Sequence, residues 1–454
     1  MSSFRFIIPF NKISINDLPQ VGGKNASLGE MFNQLRPMGV QIPDGFALNA
    51  DAYRLFRKAN GIEKKLSDLL LSLDTKDFTN LSSIGNQARK LIMEAKLPDG
   101  IIKECQEAYA QLCKVTGTEI QDVAVRSSAT AEDLPTASFA GRMESYLNIS
   151  GYTQLVEAIH KCYVSLFTDR AIKYRQDMGF MDMDIAISVG VQQMVRSDKA
   201  SSGVAFTIDP DSGFKNTIVI NSIWGLGENI VQGRVTPDEW TIFKPVLEEG
   251  KYDPILKSHC GAKEFTLIYS ENPEKQSAEK TIVNLNTSSE KSKLLSLNKD
   301  EVIKLANWCL SIEKHYGKAM DIEWAKDGIS GQLYIVQARP ETVHAKPPKQ
   351  VHEIFKLTGK SRLIGSGIAL GDKIAAGKAR ILSSPLEGDQ LQEGEILVTD
   401  ITNPDWDPVL KKAAAIITNK GGRTSHAAIV ARELGTVAVV GTGNATTLIK
   451  NGDL

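Results

Sequence analysis

NKGGRTSHAAIVARELG, residues 419–435, is the stretch on which the reading of this chain turns. The residues just before it, KKAAAIITN (411–419), form an apolar run of strand length, and Asn419–Gly422 is turn material. A helical pattern follows. Thr424 or Ser425 can cap its start, and Gly435 stands where a helix of about ten residues would stop. His426 therefore falls in the first turn of a helix, at a strand–loop–helix junction of α/β type. Unpaired backbone N–H groups and the positive end of the helix dipole meet there, which suits a bound phosphate or a phosphorylated side chain. Arg423, Thr424 and Ser425 would support such a group with a cation and two hydroxyls. The plainer alternative is a surface histidine near a helix start.

Composition narrows the choice. At 454 residues the length suits about three domains. An apolar share of 42% and a charged share of 24% describe an ordinary globular protein with ample core. The net charge is −1, so there is no electrostatic basis for holding nucleic acid or an anionic membrane, and neither is expected as a partner. The first residues, MSSFRFIIPFNK, are too few and too polar for a signal peptide, and no apolar run reaches transmembrane length. The five cysteines, Cys105, Cys113, Cys162, Cys260 and Cys309, are scattered with no CxxC pair. That fits reduced thiols in a cytoplasmic protein, argues against structural zinc, and gives none of them a catalytic part.

The clearest boundary is HAKPPKQVHE (344–353), two prolines among charges without periodicity, which reads as a linker. It divides the chain into 1–343, a linker at 344–360, and 361–454. A softer joint falls at ENPEKQSAEK (271–280). Before the linker, helical stretches such as ADAYRLFRKANG and GNQARKLIMEAK mix with strand-like DVAVRSSA, AISVGVQQMV and NTIVINSIWG. After it come GIALGDKIAAGKARIL and GEILVTD, short strands rich in Gly, Ile and Val. Both halves read as α/β or α+β. The chain stops at KNGDL soon after the strand-like TVAVVG, and the expectation is that the full protein continues.

Three places could handle a nucleotide. VGGKNASLGEM sets Lys24 behind two glycines at a helix start, a point charge for phosphate oxygens. Arg126 ends a strand beside Ser127 and Ser128, and ASFAG, ending at Gly141, supplies small residues whose backbone could approach a polyphosphate. In DIEWAKDGISGQLYIVQARPETV, alternation puts Asp321 and Glu323 on one strand face, and Leu333, Ile335, Gln337 and Arg339 on one face of the return strand. A carboxylate, an amide oxygen and a guanidinium so placed suit Mg²⁺ and ATP phosphates. Each place has a bland alternative: an exposed lysine, a Ser/Ala-rich loop, a surface ion pair across a hairpin.

Together the pieces are more specific. GGKNASLGEM (22–31), VRSSATAEDLPTASFAG (125–141), GVAFTIDPDSGF (203–214), GLGENIVQGRVTPDEW (225–240), DIEWA (321–325), LYIVQARPETV (333–343), NPDWDP (403–408) and GGRTSHAAIVARELG (421–435) follow one another as in the PEP-utilising phosphotransferases. The chain resembles that family over nearly its whole length, most of all its pyruvate, water dikinase branch.

The resemblance implies an ATP-grasp nucleotide-binding domain at 1–343, then a small swivelling phosphohistidine β/α domain at 361–454, cut short at its end. The barrel that would bind pyruvate and PEP is absent. His426 matches the family's phosphohistidine. Arg126 and Arg339 match cations that act on the transferring phosphate and, with Lys24, Glu323 and Gln337, match the ATP contacts. Glu323 and Gln337 match the Mg²⁺ ligands. Gly141 matches a glycine over the phosphates, while Gln192 and Val195 lie where the adenine hinge runs. Arg142 and Met143 depart from the amide side chains the family's loop carries, and Thr436–Val437 replaces its usual Ile-Pro.

The implied reaction moves the two outer phosphates of ATP to His426 with release of AMP. Water then takes one and pyruvate the other, and the full-length enzyme is a possible homodimer. Imidazole suits this carrier task because, titrating at about 6.5, it is largely neutral and nucleophilic near pH 7. Pyruvate, phosphate dikinase and rifampin-type phosphotransferases are the neighbouring alternatives. From a different class come a phosphohistidine relay and a nucleotide sensor, although a sensor has no use for His426.

Overall fold

The sheets assemble from the same apolar runs. In the computed structural model, residues 4–130, 144–177, 179, 185–270, 282–341, 359, 363–371, 373–423 and 425–454 are described. The expected linker at 344–360 lies outside these residues except for Gly359, as do Gly141, Arg142, Met143, Thr424 and the 271–280 joint. The architecture is mixed α and β throughout. The chain divides into two units. The first contains residues 1–195, 269–283 and 334–339, and the second contains 196–268, 284–333 and 340–454.

In the first unit, β1 (Ile7–Pro9), β2 (Gly45–Leu48), β3 (Val123–Ala129), β4 (Ser145–Ile149) and β5 (Ile187–Gln193) form an antiparallel sheet in the order β1-β2-β5-β3-β4. β3 and β5 are buried along almost their whole length. The helices Leu18–Gln34 and Gly151–Ser165 both pack on β3, which is why DVAVRSSA reads as a continuous run rather than an alternation. The core is aromatic at its centre, with the ring of Tyr163 5.0 Å from Tyr53 and 5.2 Å from Phe56. The helix Leu18–Gln34 breaks at Gly22, whose φ of 73° and ψ of 168° are not helical. A Cβ there would lie 2.3 Å from Ser128 Oγ, so only glycine lets this turn close on the end of β3.

The second unit begins with β6 (Ser201–Phe206), β7 (Thr217–Trp224), β8 (Asp238–Phe243) and β9 (Ile255–His259). β10 (Phe265–Tyr269) and β11 (Ile282–Asn286) pair as a ribbon, and β12 (Met320–Lys326) pairs antiparallel with β6. Lys263 and Asp238 form a fully buried ion pair beneath β8. Asp238 also accepts from Gly261 N–H at 2.9 Å and Ser296 Oγ at 2.6 Å, the partners a buried charge requires. β13 (Leu333–Pro340) supplies residues 334–339 to the first unit.

Residues beyond 363 build a second sheet, β14 (Ile368–Leu370), β15 (Ala379–Ile381), β16 (Ile396–Thr399), β17 (Ala415–Thr418) and β18 (Val437–Val440), in the order β14-β18-β17-β16-β15. β15 to β18 run parallel, and β14 is antiparallel to β18. The helix His426–Leu434 links β17 to β18. That places its N-terminus beyond the carboxyl end of a parallel strand, where open α/β sheets present their ligand sites.

Candidate active site around His426

The helix begins as the sequence predicts. Ser425 is its N-cap residue, with φ −66° and ψ 158°, His426 its first helical residue, and Gly435 its left-handed C-cap at φ 65°. One expectation is only half met. Ser425 occupies the cap position, but its side chain makes no capping bond. Its hydroxyl is buried and has no hydrogen-bond partner among the described residues, and a Cβ on the neighbouring Gly421 (φ 107°) would fall 2.9 Å from it. The first N–H groups of the helix are therefore not satisfied by that hydroxyl.

His426 is gripped on both sides. Its Nδ1 lies 3.2 Å from Thr402 Oγ1, and its Nε2 lies 2.8 Å from Asp407 Oδ1. A carboxylate can only accept, so Nε2 bears the proton in this arrangement. Thr402 is buried at 3% exposure, whereas the Asp407 side chain keeps 15%. The imidazole thus has a closed side at Nδ1 and a more open one at Nε2. Asp407 opens the short helix Asp407–Leu410, and Trp406 and Val409 beside it are anchored in the core of this sheet.

The loop before the helix is fastened to the other part of the second unit. Arg432 donates from Nε to Asp211 Oδ1 at 2.9 Å and from Nη1 to Arg423 O at 2.5 Å. Arg423 pairs with the same Asp211, and with Glu239 at 3.1 Å. Burial pushes the Arg432 guanidinium down to about 10 against the pull of Asp209, Glu341 and Glu239, which leaves it charged at neutral pH. Gly233, at φ 65°, sits so close that a Cβ would fall 2.6 Å from Ser425 Cβ.

The expected nucleotide residues gather in part. In the first unit, Arg126 on β3 donates to Val336 O at 3.4 Å and Gln337 Oε1 at 3.3 Å, and Gln192 on β5 donates to Val336 O at 3.3 Å. Lys24 reaches Ser127 O at 3.3 Å. Three strands and the glycine turn thus bring Lys24, Arg126, Gln192 and Gln337 to one region. Val195 is buried just past β5. Gln337 is buried with Leu333 and Ile335, and Arg339 is half-buried at the polar end of β13. Glu323 stands with Asp321 on the half-buried face of β12 in the second unit. Cys105, Cys113, Cys162 and Cys309 are buried and Cys260 is exposed, and desolvation raises Cys105 to about 12 and pushes Cys162 and Cys309 up too.

Thr402, Asp407, Asp211, Glu239, Gly233 and Arg432 carry no role in the sequence reading. Five of them lie inside quoted motifs, and Thr402 lies one residue before NPDWDP. Asp211 stands 221 positions from Arg432, and Thr402 and Asp407 stand 24 and 19 positions before His426 with no regular period linking them, so spacing could not reveal these pairings.

The sequence belongs to a recognised class. The chain is a member of the pyruvate phosphate dikinase AMP/ATP-binding domain family, whose model matches residues 18–358. The mobile domain of PEP-utilising enzymes matches residues 391–454. Among similar proteins are the phosphoenolpyruvate synthases of Aquifex aeolicus (strain VF5), 50% identical over 98% of this chain and 53% of that protein, of Neisseria meningitidis serogroup B, 46% identical over 98% and 56%, and of Escherichia coli (strain K12), 45% identical over 98% and 55%. The chain spans about half the length of these curated relatives. No helix among the described residues is long and apolar enough to cross a membrane.

Proposed function

We propose that this chain is the ATP-using and phosphohistidine-carrying part of a pyruvate, water dikinase, which makes phosphoenolpyruvate, AMP and phosphate from pyruvate, ATP and water. Residues 1–343 act as an ATP-grasp domain and 361–454 as a swivelling carrier. The observation that carries the reading is the His426 imidazole, held at Nδ1 by Thr402 and facing Asp407 at a helix N-terminus. A nucleotide sensor has no need of such a ring, and a relay to a separate acceptor protein would use it equally.

The chain's own residues divide the work. Lys24, Arg126 and Arg339 supply the cations that attract and orient the polyphosphate, and Gln192 and Val195 form the adenine edge. Glu323 and Gln337 offer hard oxygens of the kind Mg²⁺ takes. Gln337 Oε1 already accepts from Arg126, but a carbonyl oxygen has a second lone pair for the ion. When bound, Mg²⁺ neutralises developing charge on the transferring phosphate. His426 supplies the nucleophile, and the helix N–H groups stabilise the phosphate it then carries.

Incubation of the chain with magnesium and ATP tests this reading. AMP, not ADP, is the expected nucleotide product, and Glu323→Ala and Arg339→Ala each lower its formation by at least about a hundredfold, the scale of a lost positioned electrostatic contact. ADP as product, or a near wild-type rate in either variant, contradicts it.

A further inference from the structure

The water that a dikinase of this kind consumes needs a base, and the His426 site contains a carboxylate against the imidazole. Asp407 places Oδ1 2.8 Å from Nε2, on the more open side of the imidazole, while Thr402 closes the Nδ1 side. A carboxylate so near the ring nitrogen holds the ring while the histidine is empty. As Nε2 takes phosphate, the proton it held passes to solvent, and the ionised carboxylate is left beside the phosphate chain.

We infer that Asp407 is the general base that activates water to remove the outer phosphate from pyrophosphorylated His426. The inference rests on the function proposed above. In the step, the water oxygen bonds to the outer phosphorus, and the bond from that phosphorus to the bridging oxygen breaks. The electron pair stays on the phosphate still bound to Nε2. The water proton passes to Asp407 and from there to solvent, and inorganic phosphate leaves. Asp407 suits the task by geometry and chemistry: it is 15% exposed, enough to meet water, and its backbone is fixed by the short helix Asp407–Leu410. Thr402, at 3% exposure and on the closed side, meets neither requirement.

The test uses the whole chain with magnesium and ATP labelled at either the β or the γ phosphate. The wild-type protein should release γ label as inorganic phosphate in step with AMP and keep β label on the protein. Asp407→Asn should still form AMP within about tenfold of the wild-type rate, yet release γ label at least about a hundredfold more slowly, the usual worth of a positioned base. Both labels then remain on the protein together. Asp407→Glu should restore release. Phosphate release that keeps pace with AMP in Asp407→Asn overturns the inference. So does an equal loss of β and γ uptake in that variant, which would mean that Asp407 only holds the ring. A wild-type chain that takes up neither label instead overturns the parent reading, and this inference with it.

Discussion

His426 is useful as a carrier only if its ring stays in one orientation, and the residues that hold it are two ordinary polar side chains. Thr402 is buried, and its hydroxyl lies against Nδ1. Thr402→Val keeps the side chain's shape and removes that contact. A single hydrogen bond is worth about 1 kcal/mol net, so phosphate uptake by His426 should slow about fivefold while the thermal midpoint falls by only a few degrees. A stopped-flow or rapid-quench measurement of label uptake decides it, and a wild-type rate would show that Thr402 does not orient the ring.

At the scale of elements, the helix His426–Leu434 and its loop depend on neighbours supplied by distant motifs. Asp211 takes both Arg423 and Arg432, and Gly233 leaves room for Ser425. Gly233→Ala introduces a Cβ at a left-handed φ of 65° and into contact with Ser425. Backbone strain alone costs about 1–3 kcal/mol. The expected result is a lower unfolding midpoint and slower phosphate uptake, with nucleotide affinity for the first-unit residues unchanged. Equilibrium unfolding and nucleotide titration on the same variant check both halves. An unchanged midpoint would mean that the loop can move away from Gly233 without cost.

These elements also mark what the sequence could reveal. The β17–helix–β18 unit was legible because its signals are local: an apolar run, a glycine pair, a helical period and a terminal glycine within about thirty residues. The bend at Gly22 was legible for the same reason. The grips of Thr402 and Asp407 on His426, and of Asp211 on the two arginines, were not. Each joins polar side chains on separate elements, where neither periodicity nor spacing constrains the pairing. The missing cap bond of Ser425 was hidden likewise, because a serine at a helix start gives the same local signal whether or not its hydroxyl reaches the first turn.

Across the whole molecule, two units supply two kinds of chemistry. The first gathers Lys24, Arg126, Gln192 and Gln337, and the second presents His426 at the end of a parallel sheet. Family membership connects them, since one family model covers residues 18–358 and another covers 391–454. The claim on which everything else depends is that phosphate from ATP comes to rest covalently on His426. The direct measurement is to incubate the chain with magnesium and ATP labelled at the β phosphate, digest it, and map the labelled peptide. The account predicts acid-labile, base-stable label confined to the peptide containing His426, and none on His426→Ala. Label that persists in that variant, or maps to another residue, would contradict it.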